Sequence, residues 1–127
     1  MDLHIKQLSL LYLALHCSLW KTSLNVSVQQ GKNVTLSCPL TPNSSKGVLS
    51  WYKQSPRHGP QLILSYNITN TSQVRYGTGQ DHSRYTVSAS EGLNPRHLLQ
   101  ITTTFRNDTG TYYCSFSDKK DPRMFAD

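Results

Sequence analysis

Apolar and polar positions alternate with a period of two in short runs along this 127-residue chain, and turn-forming residues separate the runs. Residues 24–28 (LNVSV) alternate and read as a half-buried strand; 30–32 (QGK) form a turn. In 34–38 (VTLSC), Val34, Leu36 and Cys38 share one face. Residues 39–47 (PLTPNSSKG) are loop chemistry throughout. The next strand, 48–54 (VLSWYKQ), puts Leu49 and Trp51 on one face and Ser50, Tyr52 and Gln54 on the other. After a turn at 55–60 comes a strand at 61–66 (QLILSY). The polar, Gly-punctuated stretch 67–80 has room for one short edge strand near 73–76. Strands at 84–88 and 98–103 flank a turn-rich 90–96, and 105–110 is a corner leading into the last strong strand, 111–116 (TYYCSF). Eight or nine short strands with no helical period predict an all-β, antiparallel β-sandwich.

The N-terminus does not share this pattern. Residues 1–7 carry Lys6 and His4, and 8–15 (LSLLYLAL) is apolar apart from Ser9. A basic start followed by a short apolar run reads as a secretory signal peptide, and the run is too short to span a bilayer. The competing reading is an N-terminal core helix. Cleavage is expected after Cys17 or Ser18, with sites up to Ser23 open. This gives a leader at 1–18, a domain at 19–116 and a tail at 117–127. Of three cysteines, the leader takes Cys17 and leaves Cys38 and Cys114 for an oxidising compartment, where a disulfide persists. No later stretch is long and apolar enough for a membrane span. The expected location is the secretory pathway, and then outside the cell or on an ectodomain at its surface.

Charge narrows the function classes. Thirteen Lys+Arg against seven Asp+Glu give +6, but the basic residues are scattered and only Lys119 and Lys120 adjoin, so no nucleic-acid partner is expected. His58, His82 and His97 lack metal-ligand spacing. There is no G-x-S-x-G, no phosphate loop and no suggested carboxylate pair, so neither catalysis, nor a metal, nor a cofactor is expected.

One constellation carries an identification. Cys114 follows Cys38 by 76 residues, Trp51 follows Cys38 by thirteen, and 108–114 reads DTGTYYC. In a two-sheet sandwich, the cysteines bridge the sheets and Trp51 packs on the sulfurs. The Tyr112 hydroxyl bonds back to the corner backbone, so that its ring is buried without an orphan polar group. Closing so long a loop removes about 4 kcal/mol of unfolded-state entropy in the chain-entropy account.

From residue 24 to 116 the sequence resembles the immunoglobulin V-set family. The resemblance implies an ion pair between Arg84, where strand D opens, and Asp108 of the D-x-G-x-Y-x-C motif. Trp51-Tyr-Lys-Gln54-Ser-Pro56-Arg-His-Gly59-Pro60-Gln-Leu62 looks like an antigen-receptor variable segment, and the stretch through His58-Gly59 and residues 76–88 is most similar to the T-cell receptor β type. It implies that Tyr52, Gln54, Pro60, Leu62 and Tyr113 form a face for a second V-type domain, in a hetero- or homodimer. It also implies three recognition loops, at 41–47, 67–72 and 115–121, facing a peptide presented by a histocompatibility molecule or another protein ligand. Tyr66, Asn67, Phe116, Asp118, Lys119 and Lys120 are the contact candidates. The alternative function is a secreted or adhesion-type single V-set protein of innate immunity, acting without rearrangement or a paired chain.

The family pattern fails at the C-terminus. Variable domains end in a joining strand with Phe/Trp-Gly-x-Gly, whereas 115–127 (SFSDKKDPRMFAD) contains no glycine, so strand G is expected to be missing or incomplete. Six Asn-x-Ser/Thr sequons open at Asn25, Asn33, Asn43, Asn67, Asn70 and Asn107. Asn43, Asn67 and Asn70 are the expected glycosylation sites, because their neighbours read as loop.

Overall fold

The computed structural model describes residues 2–10, 21–40, 46–55, 57–92 and 95–117, and for 2–10 and 21–28 it describes the backbone alone. Nine strands run in chain order: β1 (Asp2–Leu10), β2 (Lys21–Gln29), β3 (Val34–Ser37), β4 (Val48–Gln54), β5 (Gln61–Asn67), β6 (Val74–Tyr76), β7 (Tyr85–Ala89), β8 (His97–Ile101) and β9 (Gly110–Ser117). The helical structure among the described residues is two short 3₁₀ turns, His82–Arg84 and Arg106–Asp108. The strands form a six-stranded sheet, ordered β2-β1-β9-β4-β5-β6, and a three-stranded sheet, β3-β8-β7.

The period-two pattern decides what lies between the sheets. Val34 and Leu36 of β3 stand opposite Ile101 and Leu99 of β8, and all four are buried, while Thr35 faces solvent. From the larger sheet, Leu49, Trp51, Leu64, Tyr66, Tyr112 and Cys114 close the same core. Each fully buried aliphatic side chain here contributes about 1.5–3 kcal/mol relative to exposure.

Two local features depart from simple alternation. Between β4 and β5 the register slips: Trp51 faces Leu64 but Tyr52 faces Leu62, so Ile63 is an extra residue on β5. This β-bulge reverses the faces of β5, leaving Leu62 beside Tyr52 on the outside while Leu64 and Tyr66 point inward. Gly77 sits against the bulge, donating its N–H to the Ile63 carbonyl, and a Cβ there would stand 2.1 Å from the Leu62 carbonyl oxygen. No side chain fits that approach.

The other departure is β1. Residues 2–10, read above as leader, form neither a separate segment nor a core helix but a strand between β2 and β9. β1 runs antiparallel to β2, Asp2 facing Gln29 and Leu10 facing Lys21, and parallel to β9 from Ile5–Gly110 to Leu10–Ser115. The larger sheet is therefore mixed rather than wholly antiparallel. The edge of β9, expected to lack a strand, is covered in the intact chain. A row of unpaired N–H and C=O groups is satisfied by whichever extended segment reaches it.

Candidate functional site

The frame of the sandwich is a set of contacts between its sheets. Cys38, just past β3, is disulfide-bonded to Cys114 of β9, with Cα atoms 5.9 Å apart. Trp51 is the β4 partner of Cys114 and is completely buried beside the bond. At the lower end, the Tyr112 hydroxyl donates to the Asp108 carbonyl oxygen at 2.7 Å, and burial raises its pKa well above that of free tyrosine. Arg84 and Asp108 form a two-pronged ion pair, Nη1 to Oδ1 at 3.0 Å and Nη2 to Oδ2 at 2.5 Å. Asp108 Oδ2 also accepts from the Phe105 N–H at 2.9 Å. The Arg84 guanidinium lies 4.3 Å from the centroid of the Phe105 ring, so the pair is roofed by an aromatic face. Lys53 Nζ donates to the Asn107 carbonyl nearby; desolvation lowers its pKa, partly opposed by the charge of Asp108.

At the opposite end, three chain segments meet. The Ile68 N–H donates to the Gly47 carbonyl oxygen at 3.1 Å, tying the segment before β4 to the turn after β5. Val48 is in register with both Asn67 of β5 and Ser117 of β9. The Phe116 ring lies over Gly47, where a Cβ would stand 2.3 Å from it, and packs against the core. Phe116 is half-buried, so part of its ring stays available at this end. Asn67 is half-buried at the tip of β5. Tyr66 is different. It was expected among the loop contacts, but the bulge turns it inward, where it is 2% exposed and hydrogen-bonded to His97 of the other sheet. Asp118, Lys119 and Lys120, and most of the 41–47 loop, lie outside the described residues.

The outer face of β4, β5 and β9 brings together Tyr52, Gln54, Leu62 and Tyr113. Tyr52 is paired with Leu62 on one side and Tyr113 on the other. Pro60 is exposed beside them. The Tyr113 hydroxyl donates to Gln54 Oε1 at 2.7 Å, and Tyr113 is 8% exposed. Gln54 Oε1 thus already accepts one hydrogen bond within the chain, which leaves its second lone pair for a partner.

Of the expected glycosylation sites, Asn43 lies outside the described residues. Asn70 Oδ1 accepts from both the N–H and the hydroxyl of Ser72, folding its sequon into a tight turn, and Asn67 is three residues earlier. Asn33 and Asn107 are exposed, whereas Asn67 and Asn70 are half-buried. Among the described residues there is no cluster of metal-ligating side chains and no helix long and apolar enough to cross a membrane.

His97, a histidine without metal-ligand spacing, occupies an inward position of β8. The signal that finds it is its place in the alternation, two residues before Leu99 and four before Ile101, which aims it inward. Gly47 and Ile68 carried no such signal, because their contact joins segments about twenty residues apart.

Comparison with known proteins agrees with this architecture. The family model described as "Immunoglobulin V-set domain" matches residues 21–126. Human T cell receptor gamma variable 4 is 31% identical over 90 residues, 71% of this chain and 73% of that protein. Human T cell receptor alpha variable 5 is 34% identical over 96 residues, covering 75% and 76%. Human T cell receptor beta variable 5-1 is 31% identical over 88 residues, covering 69% and 70%. The likeness is thus to T-cell receptor variable segments of mixed type and not to the β type alone. Among solved structures, the extracellular fragment of novel immune-type receptor 11 from Ictalurus punctatus superposes with a TM-score of 0.57 at 25% identity, over 88% of this chain and 81% of that one. With a bridged two-sheet frame and a family match spanning both sheets, the chain belongs to the immunoglobulin V-set family.

Proposed function

We infer that this domain is the recognition module of a T-cell-receptor-like antigen receptor and acts without catalysis, at the surface of a cell or beyond it. In this reading residues 1–18 direct the chain into the secretory pathway and are then removed. The mature domain pairs with a second V-type domain through the β4–β5–β9 face. The opposite-end loops then meet a peptide held by a histocompatibility molecule or another protein ligand, with Phe116, Asn67, Asp118, Lys119 and Lys120 in contact. The observation that carries the reading is the outer face, where the half-buried Tyr52 and Leu62 stand side by side, next to the nearly buried Tyr113 and the exposed Pro60. No sequon lies within residues 48–54 or 61–65. Such a bare, mixed patch suits burial against a like patch. Glycans at Asn67 or Asn70 would stand at the loop end instead, where they compete with ligand contact.

Removal of residues 1–18 uncovers the edge of β9, and an open edge favours strand addition or association. The chain beginning at Leu19 is therefore expected to self-associate at micromolar concentration. Adding a joining segment with Phe-Gly-x-Gly after Lys120 should raise its melting temperature. Leu62→Lys should weaken the association at least tenfold, about 1.4 kcal/mol, by burying a charge. Sedimentation that finds a stable monomer without the added segment overturns the pairing reading. It moves the assignment to a single V-set protein that acts unpaired.

A further inference from the structure

His97 and Tyr66 form a polar bridge through an otherwise apolar core. His97 opens β8 in the smaller sheet, Tyr66 lies near the end of β5 in the larger one, and their side chains meet at 2.9 Å, Nδ1 to hydroxyl. Both are nearly sealed from solvent, at 1% and 2% exposure. The bridge stands directly beneath the loop end. Tyr66 is followed at once by Asn67 and the turn that Ile68 ties to Gly47, while the His97 carbonyl accepts from the Cys38 N–H at 2.8 Å, where the chain leaves β3 for the 41–47 loop.

We propose that the His97–Tyr66 bridge is an acid-sensitive latch, which holds the two sheets together under the recognition loops and releases them when His97 takes up a proton.

The chemistry follows from the donor inventory. With a neutral imidazole, either tautomer closes the bond, since ring and phenol can each donate or accept. Protonation makes both ring nitrogens donors, so the phenol can only accept and its own proton must turn away. It also places a charge in a site where, among the described residues, no opposite charge acts on the ring. Among the described residues, the titratable group facing the ring is Tyr66 from β5. Burial pushes the ring's pKa below that of free histidine. From β4, the Trp51 indole N–H is buried without a hydrogen bond among the described residues, although the indole lies close enough to the Tyr66 phenol to oppose the rise that burial imposes on it. The folded value is the lower one, so the unfolded chain takes the proton first as pH falls. Stability is complete above the ordinary imidazole value of about 6.5 and declines as pH falls through it towards the folded value, by up to about tenfold in the folding equilibrium per pH unit.

The test is equilibrium unfolding of the secreted chain between about pH 7.5 and 5.5. Wild type should lose several-fold, up to about tenfold, in its folding constant, and a His58→Gln/His82→Gln variant, changed at two exposed histidines, should lose as much. The Tyr66→Phe/His97→Leu variant, which replaces both partners with apolar groups, should lose less than about threefold. Equal losses in all three overturn the proposal. Should the double variant not fold, the wild-type imidazole titration by NMR decides the matter: a His97 pKa at or above the ordinary value overturns the latch, and one below it supports it. Hydrogen exchange, corrected for its intrinsic pH dependence, should quicken at the Ile68 amide on acidification before it does at Leu99. Uniform quickening would mean that the whole sandwich, and not its loop end, responds.

Discussion

Replacing Cys38 or Cys114 by alanine is expected to cost about 2–5 kcal/mol and to abolish secretion. The bond joins the sheets across a sequence separation of 76, so its loss returns to the unfolded chain about 4 kcal/mol of loop freedom in the chain-entropy account. The site itself also suffers. Both cysteines are at most 1% exposed and Trp51 is wholly buried beside them, so truncation leaves a gap that a rigid indole cannot fill. A domain of this size has about 5–15 kcal/mol in all, and the loss takes a large share of it. The measurement is secretion yield and denaturant midpoint for each single variant and for Cys38→Ala/Cys114→Ala. Since either change breaks the same bond, the double variant should cost much less than the sum of the singles. Additive losses, or both thiols found free by mass mapping of the wild-type product, would contradict this account.

Arg84→Ala is the next largest expected loss, about 2–4 kcal/mol, because it strands a carboxylate whose side chain is 1% exposed. The figure falls short of that for a wholly buried pair for two reasons. The Arg84 side chain is 19% exposed, and Asp108 keeps the Phe105 N–H as a donor. Arg84 does more than neutralise charge: its Nη2 also approaches the Thr102 and Thr103 carbonyls at 3.3 and 3.4 Å, and its plane covers Phe105. Arg84→Lys keeps the charge but cannot supply the two-pronged geometry or the planar stack, so it should recover less than half of the loss. Thermal or denaturant unfolding of the two variants checks this. A shift within about 0.5 kcal/mol for Arg84→Ala would place the pair among ordinary surface contacts.

Much of this protein was legible one residue at a time. The β3 alternation names the core residues Val34 and Leu36 because a strand's side chains alternate whatever it packs against. The spacing of Cys38, Trp51, Tyr112 and Cys114 pointed to a two-sheet frame, and that frame is present. The Arg84–Asp108 contact came instead from the family resemblance; nothing in its spacing implies it. The one-residue bulge at Ile63 lies beyond any periodic reading, since a slip in register depends on the neighbouring strand, and it alone decides that Leu62 faces outward and Tyr66 inward. Tyr66 reads from the sequence as a loop contact because it is an aromatic beside the 67–72 loop. His97 falls at an inward position by its own alternation, but only the approach of the two sheets gives it Tyr66 as a partner. Likewise, the sequence of residues 2–10 says apolar and basic and nothing about β9. A strand edge takes whichever backbone reaches it, and that depends on where the folded sheets leave an edge open. The sequence determined the strands, their inward faces and the cysteine frame, which are properties of local pattern. The tertiary structure decided register, edge pairing and polar contacts across the core, because each requires two distant segments to be brought within a few ångströms of each other.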